Sequence, residues 1–352
     1  MSKIDKLFKA LMSMGGSDLH ISEGQKPKVR THGKLVTLED ESVLTQDDMV
    51  GYLEEICTPD RWQHYLENLD LDFAYALGNE ARFRCNYFFQ ENGYGAVFRI
   101  IPAEILSFDT LKLPPVLKSF GKLKSGLVLV TGPTGSGKST TLAAIIDNMN
   151  ENSARHILTI EEPIEFVHPN KKSTLCQREV GVDVHSFGAG LKAGLRQDVD
   201  VILVGEMRDY ETISLAISAA ATGVLVFGTL HTNSAVKTVD RIIDVFPSNQ
   251  QDQVRNMLSE SIKGVVAQLL LKTADGKGRV AAHEILVGNS GLAASIREGK
   301  IGNIRNIIQG GGNEGMCLMD DTLQRLVNEG RITGADAYLK ATEKRRFEQY
   351  ME

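Results

Sequence analysis

The stretch Gly132-Pro133-Thr134-Gly135-Ser136-Gly137-Lys138-Ser139-Thr140 has the spacing G-x-x-x-x-G-K-[ST]. Glycines so placed let successive backbone N–H groups converge on a phosphate, and a helix N-terminus behind them adds fixed positive partial charge. Lys138 is placed to reach the β- and γ-phosphates and Ser139 to hold Mg²⁺. The chemistry implied is binding of a nucleoside triphosphate. Hydrolysis also needs a base, and Val201-Ile202-Leu203-Val204-Gly205-Glu206 supplies an apolar strand that ends in a carboxylate. Glu206 is therefore the candidate to polarise the attacking water. Thr159-Ile160-Glu161-Glu162-Pro163 ends another strand in acids. Glu161 and Glu162 suit Mg²⁺ held partly through water, and a solvated acidic turn is the plainer alternative. A third strand, Gly228-Thr229-Leu230, ends at His231-Thr232. His231 suits a γ-phosphate sensor, a subunit contact or a purely structural role. Lys138, Glu161, Glu206 and His231 thus form the catalytic set, with Ser139, Glu161 and Glu162 as the metal candidates.

Such groups converge only if strands and helices alternate. Strands are expected at 126–131, 156–160, 201–204 and 225–230, and helices at 138–149, 187–195 and 210–221. That order predicts an α/β domain with a mostly parallel sheet, and ligands bind such sheets at the carboxyl ends of the strands. Helices are expected beyond it at 235–245 and 250–271, then near 320–329 and 334–342, with Gly310-Gly311-Gly312 as a flexible joint. The first hundred residues read as a mixed α+β unit. An amphipathic helix over 1–14 presents Ile4, Leu7, Phe8, Leu11 and Met12 on one face. A hairpin forms around His32-Gly33, and Thr45 caps a helix through Cys57. Another helix begins near Pro59, strands follow at 71–76, 82–89 and 95–101, and the last two form a hairpin across Glu91-Asn92-Gly93.

Composition narrows the class. At 352 residues with 42% hydrophobic and 24% charged residues, the chain reads as a soluble globular protein of about two domains. No apolar run approaches the roughly 20 residues that span a bilayer, and the first residues lack a signal-peptide core, so a cytosolic location is expected. A net charge of −6 argues against coating nucleic acid. The four cysteines are far apart and form no C-x-x-C, which argues against a zinc framework.

With its motifs in this order, the chain resembles the secretion ATPase superfamily of type II secretion and type IV pili. The phosphate loop, the acidic box 159–165, the Walker-B-like stretch 203–209 and the histidine box 222–232 carry the resemblance. Within the superfamily it is most similar to the retraction (twitching motility) ATPases, through Gly16-Ser17-Asp18-Leu19-His20, Gln177-Arg178-Glu179-Val180-Gly181 and Arg241-Ile242-Ile243-Asp244-Val245-Phe246-Pro247. The resemblance implies a PAS-like domain over 1–101, a connector over 102–124, a RecA-like ATPase core over 125–289 and a helical C-terminal region over 290–352. It implies ATP as nucleotide and a homo-hexamer acting on an inner-membrane pilus platform, peripherally bound there. Domain closure about the connector would be the power stroke. A paralogous retraction ATPase is a further implied partner, and no nucleic acid is expected. It also implies that Arg84 and Arg99 reach the phosphates; they flank one hairpin and can share a sheet face, and the Arg fork suits phosphate.

The pattern is broken at several positions. Ala221 replaces a usual Glu, Val224 a usual His, Glu162 a usual Asp, Val199 a usual Pro and Val182 a usual Arg. The retraction motif A-I-R-N-L-I-R-E here reads Gly291-Leu292-Ala293-Ala294-Ser295-Ile296-Arg297-Glu298, with Ala293 in place of the first arginine. Hydrolysis is expected to be intact, with turnover or coupling altered. Assembly members are usually longer and commonly carry a four-cysteine zinc motif; neither feature is present, which favours retraction. An assembly or secretion ATPase, a non-hydrolysing accessory subunit and a nucleic-acid translocase are the competing readings.

Overall fold

The computed structural model describes residues 3–31, 33–78, 80–101 and 104–351. Two compact units emerge: one from residues up to Glu104 plus Pro163–Val167, the other from Ile105–Glu162 plus His168 onward.

Unit one contains α1 (Asp5–Ser13), β1 (Asp18–Ser22), β2 (Lys28–Thr31), β3 (Lys34–Thr37), α2 (Gln46–Glu55), α3 (Pro59–Asn68), β4 (Asp70–Leu77), β5 (Ala81–Gln90) and β6 (Gly93–Ile101). Its six strands run antiparallel in the order β3-β2-β1-β6-β5-β4. Alternation sends Leu19, Phe83, Cys85, Tyr87 and Phe98 to one face, where they meet the buried Ile4, Leu7, Phe8 and Leu11 of α1. Phe8 stacks on Phe83 with ring centroids 4.1 Å apart. Thr45 caps α2 as expected, and the structure adds a full capping box with Asp48. The β5–β6 hairpin turns at Gly93 with φ 104°, and a Cβ there would lie 1.9 Å from a Glu23 carboxylate oxygen, so only glycine fits. Of the hairpin expected at His32-Gly33, His32 lies outside the described residues, while the flanking Thr31 and Lys34 pair.

Unit two begins with α4 (Phe108–Leu111) and α5 (Pro115–Phe120), then β7 (Gly126–Thr131), α6 (Lys138–Asn152), β8 (His156–Glu161), β9 (Thr174–Glu179) and α7 (Phe187–Gly194). Next come β10 (Val201–Val204), α8 (Tyr210–Ala221), β11 (Leu225–Leu230), α9 (Ala235–Asp244) and α10 (Gln251–Ser261). The chain continues with β12 (Ile262–Lys272), β13 (Arg279–Val287), α11 (Ser290–Arg297), α12 (Ile304–Gly310), α13 (Met319–Asn328) and α14 (Gly334–Lys340). The seven strands order as β13-β12-β7-β11-β10-β8-β9, parallel except for β13 at the edge. Helices cover both faces, which is why β7, β10 and β11 are buried at every position.

Three expectations are corrected. The helix predicted over 250–271 stops at Ser261, and Ile262–Lys272 is strand β12, hydrogen-bonded between β7 and β13. A strand buried on both faces reads as a continuous apolar run, which periodicity cannot separate from a buried helix. The stretch 105–124 is not a free connector. It folds as α4 and α5, whose Phe108, Leu117 and Phe120 are buried with Val128, Ile145 and Ile146 of unit two. Pro102 lies outside the described residues. The glycines at 310–312 form no loose joint: α12 closes at Gly310, and a Cβ on Gly311 would meet the Met316 sulfur at 2.5 Å. Strands β9 and β13 were not anticipated. Among the described residues no helix is long and apolar enough to cross a membrane.

Candidate nucleotide site

Strand β7 runs into the glycine turn, where Gly132, Gly135 and Gly137 have φ 145°, 77° and 85°. Side chains rarely adopt these angles. Gly132 is also pressed by β12, since a Cβ there would lie 2.3 Å from the Gln268 carbonyl oxygen. Gly137 caps α6 without a side-chain bond, so the first-turn N–H groups of Lys138, Ser139 and Thr140 are left for an anion. Lys138 Nζ folds back and donates to the carbonyls of Gly132 at 2.8 Å and Pro133 at 3.2 Å. Ser139 is exposed at the helix start, whereas Ser136 is nearly buried and its hydroxyl has no partner.

Neighbouring parallel strands bring the other candidates to the same edge. In the sheet β11 lies beside β7, then β10, then β8. Thr131 pairs with Leu230, Gly228 with Val204, and Val204 with Ile160. The phosphate loop, His231, Glu206 and Glu161 therefore all follow the carboxyl ends of adjacent strands. Gly205 lets the chain leave β10 close to β8: its N–H donates to the Ile160 carbonyl at 2.8 Å, and a Cβ would approach that oxygen to 3.0 Å.

Glu206 and His231 meet directly, with Nε2 2.9 Å from Oε1. Arg208, two residues on, also grips Glu206: its Nε faces Oε1 and its Nη2 lies 2.6 Å from Oε2. Burial pushes the Glu206 carboxyl up, but the Arg208 hydrogen bond and charge, joined by His231, outweigh it and hold the group below the ordinary glutamate value. Glu161 Oε1 accepts from Thr159 Oγ1 at 2.7 Å and Gln177 Nε2 at 3.3 Å. Glu162 is exposed beside it. Among the described residues no group of three or more His, Cys, Asp or Glu forms a cage for a metal. Ser139 with one or two acids suits Mg²⁺ that keeps its waters and the nucleotide's own phosphates as ligands.

Arg84 and Arg99 belong to unit one, where they are direct partners across β5 and β6. Each has an acid. Arg99 Nε lies 2.7 Å from Oδ1 of the buried Asp18, and Arg84 Nε lies 3.7 Å from Asp72. Burial raises the Asp18 carboxyl, but hydrogen bonds from Ser17 and Arg99 and the Arg99 charge bring it below the ordinary aspartate value.

The departures from pattern fall elsewhere. Ala221 ends α8, and Val224 enters β11 at its amino end, opposite to His231. Ala293 lies on α11. Sequence reasoning missed Arg208, Asp18 and Gln268. Gln268 donates from Nε2 to the Ser136 carbonyl at 2.7 Å. Its signal was present: one polar residue inside the apolar run 265–271.

A family model described as "Type II/IV secretion system protein" matches residues 2–329. A "Twitching motility protein" of Neisseria gonorrhoeae is 50% identical over 317 residues, covering 90% of this chain and 84% of the relative. The "Type IV pilus retractation ATPase PilT" of Pseudomonas aeruginosa is 47% identical over 338 residues, covering 96% of this chain and 98% of that one. Among solved structures, the pilus retraction motor PilT with bound ADP superposes with a TM-score of 0.91 at 42% identity, over 99% of both chains.

Proposed function

We propose a function from one premise: the chain belongs to the type II/IV secretion system protein family. Within it we read the chain as an ATP-hydrolysing motor that retracts type IV pili and so drives twitching motility. One observation carries this reading. A complete phosphate loop, Glu206 and His231 follow adjacent strand ends in a chain similar over nearly its whole length to retraction ATPases.

The N–H groups at the start of α6 and Lys138 bind the phosphates. Lys138 leaves the Gly132 and Pro133 carbonyls to do so. Glu206 accepts the proton of the attacking water once Arg208 releases it, and His231, bonded to Glu206, registers the γ-phosphate. Ser139, Glu161 and Glu162 would be the residues to hold Mg²⁺, which would supply charge neutralisation at the phosphates. Arg84 and Arg99 contribute from a neighbouring protomer. The two guanidinium groups are direct cross-strand partners, and a phosphate would compete with Asp18 and Asp72 for their forks.

In this proposal residues 1–101 form a PAS-like domain, 125–289 a RecA-like core and 290–352 the helical C-terminal region. Six copies form a ring that works on the inner-membrane pilus platform from the cytoplasmic side. Deletion of the gene, scored for surface pili and twitching, tests the reading. Abundant static pili support retraction, and loss of surface pili overturns it in favour of assembly.

A further inference from the structure

Gln268 is 2% exposed, between Ala267 and Leu269 on a strand whose neighbours are apolar. A primary amide so buried is costly unless every polar atom is bonded. Here they are. Nε2 donates to the Ser136 carbonyl at 2.7 Å, and Oε1 accepts from Thr141 Oγ1 at 2.8 Å and lies 3.2 Å from His283 Nε2. Both Ser136 and Thr141 flank the end of the phosphate loop. His283 is the direct cross-strand partner of Gln268 on β13 and is 3% exposed.

Each partner removes a freedom from the next. Burial lowers the His283 ring to about 4, so it is neutral at neutral pH. Because Oε1 can only accept, the hydrogen sits on Nε2. The Ser136 carbonyl, which can only accept, fixes which end of the amide is nitrogen. A flipped amide would set oxygen against the Ser136 carbonyl oxygen. The Ser136 carbonyl shares a planar trans peptide with the Gly137 N–H, and the two point in opposite directions. Holding the carbonyl toward β12 therefore turns the Gly137 N–H away from β12, into the loop. Gln268 Nε2 stands close behind the loop, 2.9 Å from where a Cβ at Gly137 would lie. The His283 carbonyl is itself anchored by Thr322 Oγ1 at 2.7 Å, which ties the pair to α13.

We propose that Gln268 and His283 are positioning residues for the nucleotide reaction: the pair locks the Ser136–Gly137 peptide so that the phosphate loop is set for its anion before nucleotide arrives. The proposal rests on the nucleotide-binding reading above.

Gln268→Met conserves volume and removes all three bonds. In the full-length protein, calorimetric ADP affinity should fall about tenfold and kcat/KM for ATP on the order of 10- to 100-fold, as expected when a binding constellation is misplaced. His283→Leu should move both in the same direction by a smaller factor, whereas His283→Gln, which keeps a donor, should stay within about twofold of the wild-type values. Phosphate release by the unaltered protein and by Lys138→Ala is the control: without Lys138-dependent hydrolysis the motor reading itself fails. If hydrolysis is present and folded Gln268→Met binds ADP within twofold of wild type, the positioning proposal is overturned, even if its thermal midpoint has dropped. Should Gln268→Met not fold, the His283 pair decides, and equal ADP affinity for Leu and Gln at 283 rejects the proposal.

Discussion

His231 Nε2 stands 2.9 Å from Glu206 Oε1, joining two residues 25 positions apart across the ends of β11 and β10. The proposed base is thereby wired to the proposed sensor, and Arg208 closes the other side of the same carboxylate. Glu206→Gln should keep ADP binding and cut kcat by about 10²- to 10⁴-fold, the range lost with a positioned base. Parallel measurement of phosphate release and ADP affinity checks this, and turnover within a few-fold of wild type would remove Glu206 from the role.

Gly132→Ala should abolish nucleotide binding. It places a side chain at φ 145° and drives a Cβ to 2.3 Å from the Gln268 carbonyl. A stability loss of about 2–4 kcal/mol is expected from strain and overpacking together. Thermal unfolding with and without ADP reads both effects, and an ADP-induced shift equal to wild type would contradict the argument.

Arg84 and Arg99 should separate in stability although they are strand partners. Arg99→Ala leaves the Asp18 carboxylate, 5% exposed in its side chain, without its closest cation. About 1–3 kcal/mol should be lost, moderated by Arg30, 3.9 Å from the same carboxylate. Arg84→Ala breaks an exposed pair and should change stability by no more than about 0.5 kcal/mol. Denaturant unfolding of both variants distinguishes them, with equal losses as the contrary outcome.

His283 gives the fold a pH dependence of known sign. Its ring titrates near 6.5 when unfolded and near 4 when folded. The unfolded chain therefore binds a proton first as pH falls from 6.5, and stability drops through that window, by at most about 3 kcal/mol by linkage. The loss from this group fades out above about pH 7.5. Thermal midpoints measured from pH 7 to 4.5 should fall less steeply for His283→Gln than for wild type. An unchanged slope would show that the ring is not buried neutral.

Val224→His, the residue that the resemblance implies at this position, should leave ADP affinity within about twofold. Val224 and His231 flank opposite ends of β11, and seven residues of strand span about 23 Å. An effect confined to turnover is expected; a large change in ADP affinity would refute this placement.

The amino-acid sequence by itself determined the phosphate loop and the strands that feed it. β7, β10 and β11 begin and end where an apolar run meets glycine or charge; the phosphate loop starts directly after β7, and Glu206 and His231 lie within two residues of the ends of β10 and β11. These are local signals, because strand termination and helix capping are decided by near neighbours. Strand β12 was not legible: Ile262–Lys272 is apolar on both faces, and only pairing with β7 and β13 makes it a strand. Lacking that strand, the sequence marked Gln268 only as a polar residue in an apolar run and did not show that it backs a loop 132 residues earlier. The sequence also grouped Ala221 and Val224 with His231 in one motif, whereas the parallel sheet sends them to opposite ends of β11. Tertiary structure decided the partners. The meeting of Glu206 with His231, the facing of Arg84 and Arg99, and the lock of Gln268 on Ser136 all depend on strand order and register. Hydrogen bonds between distant strands set those, and no local window of residues contains them.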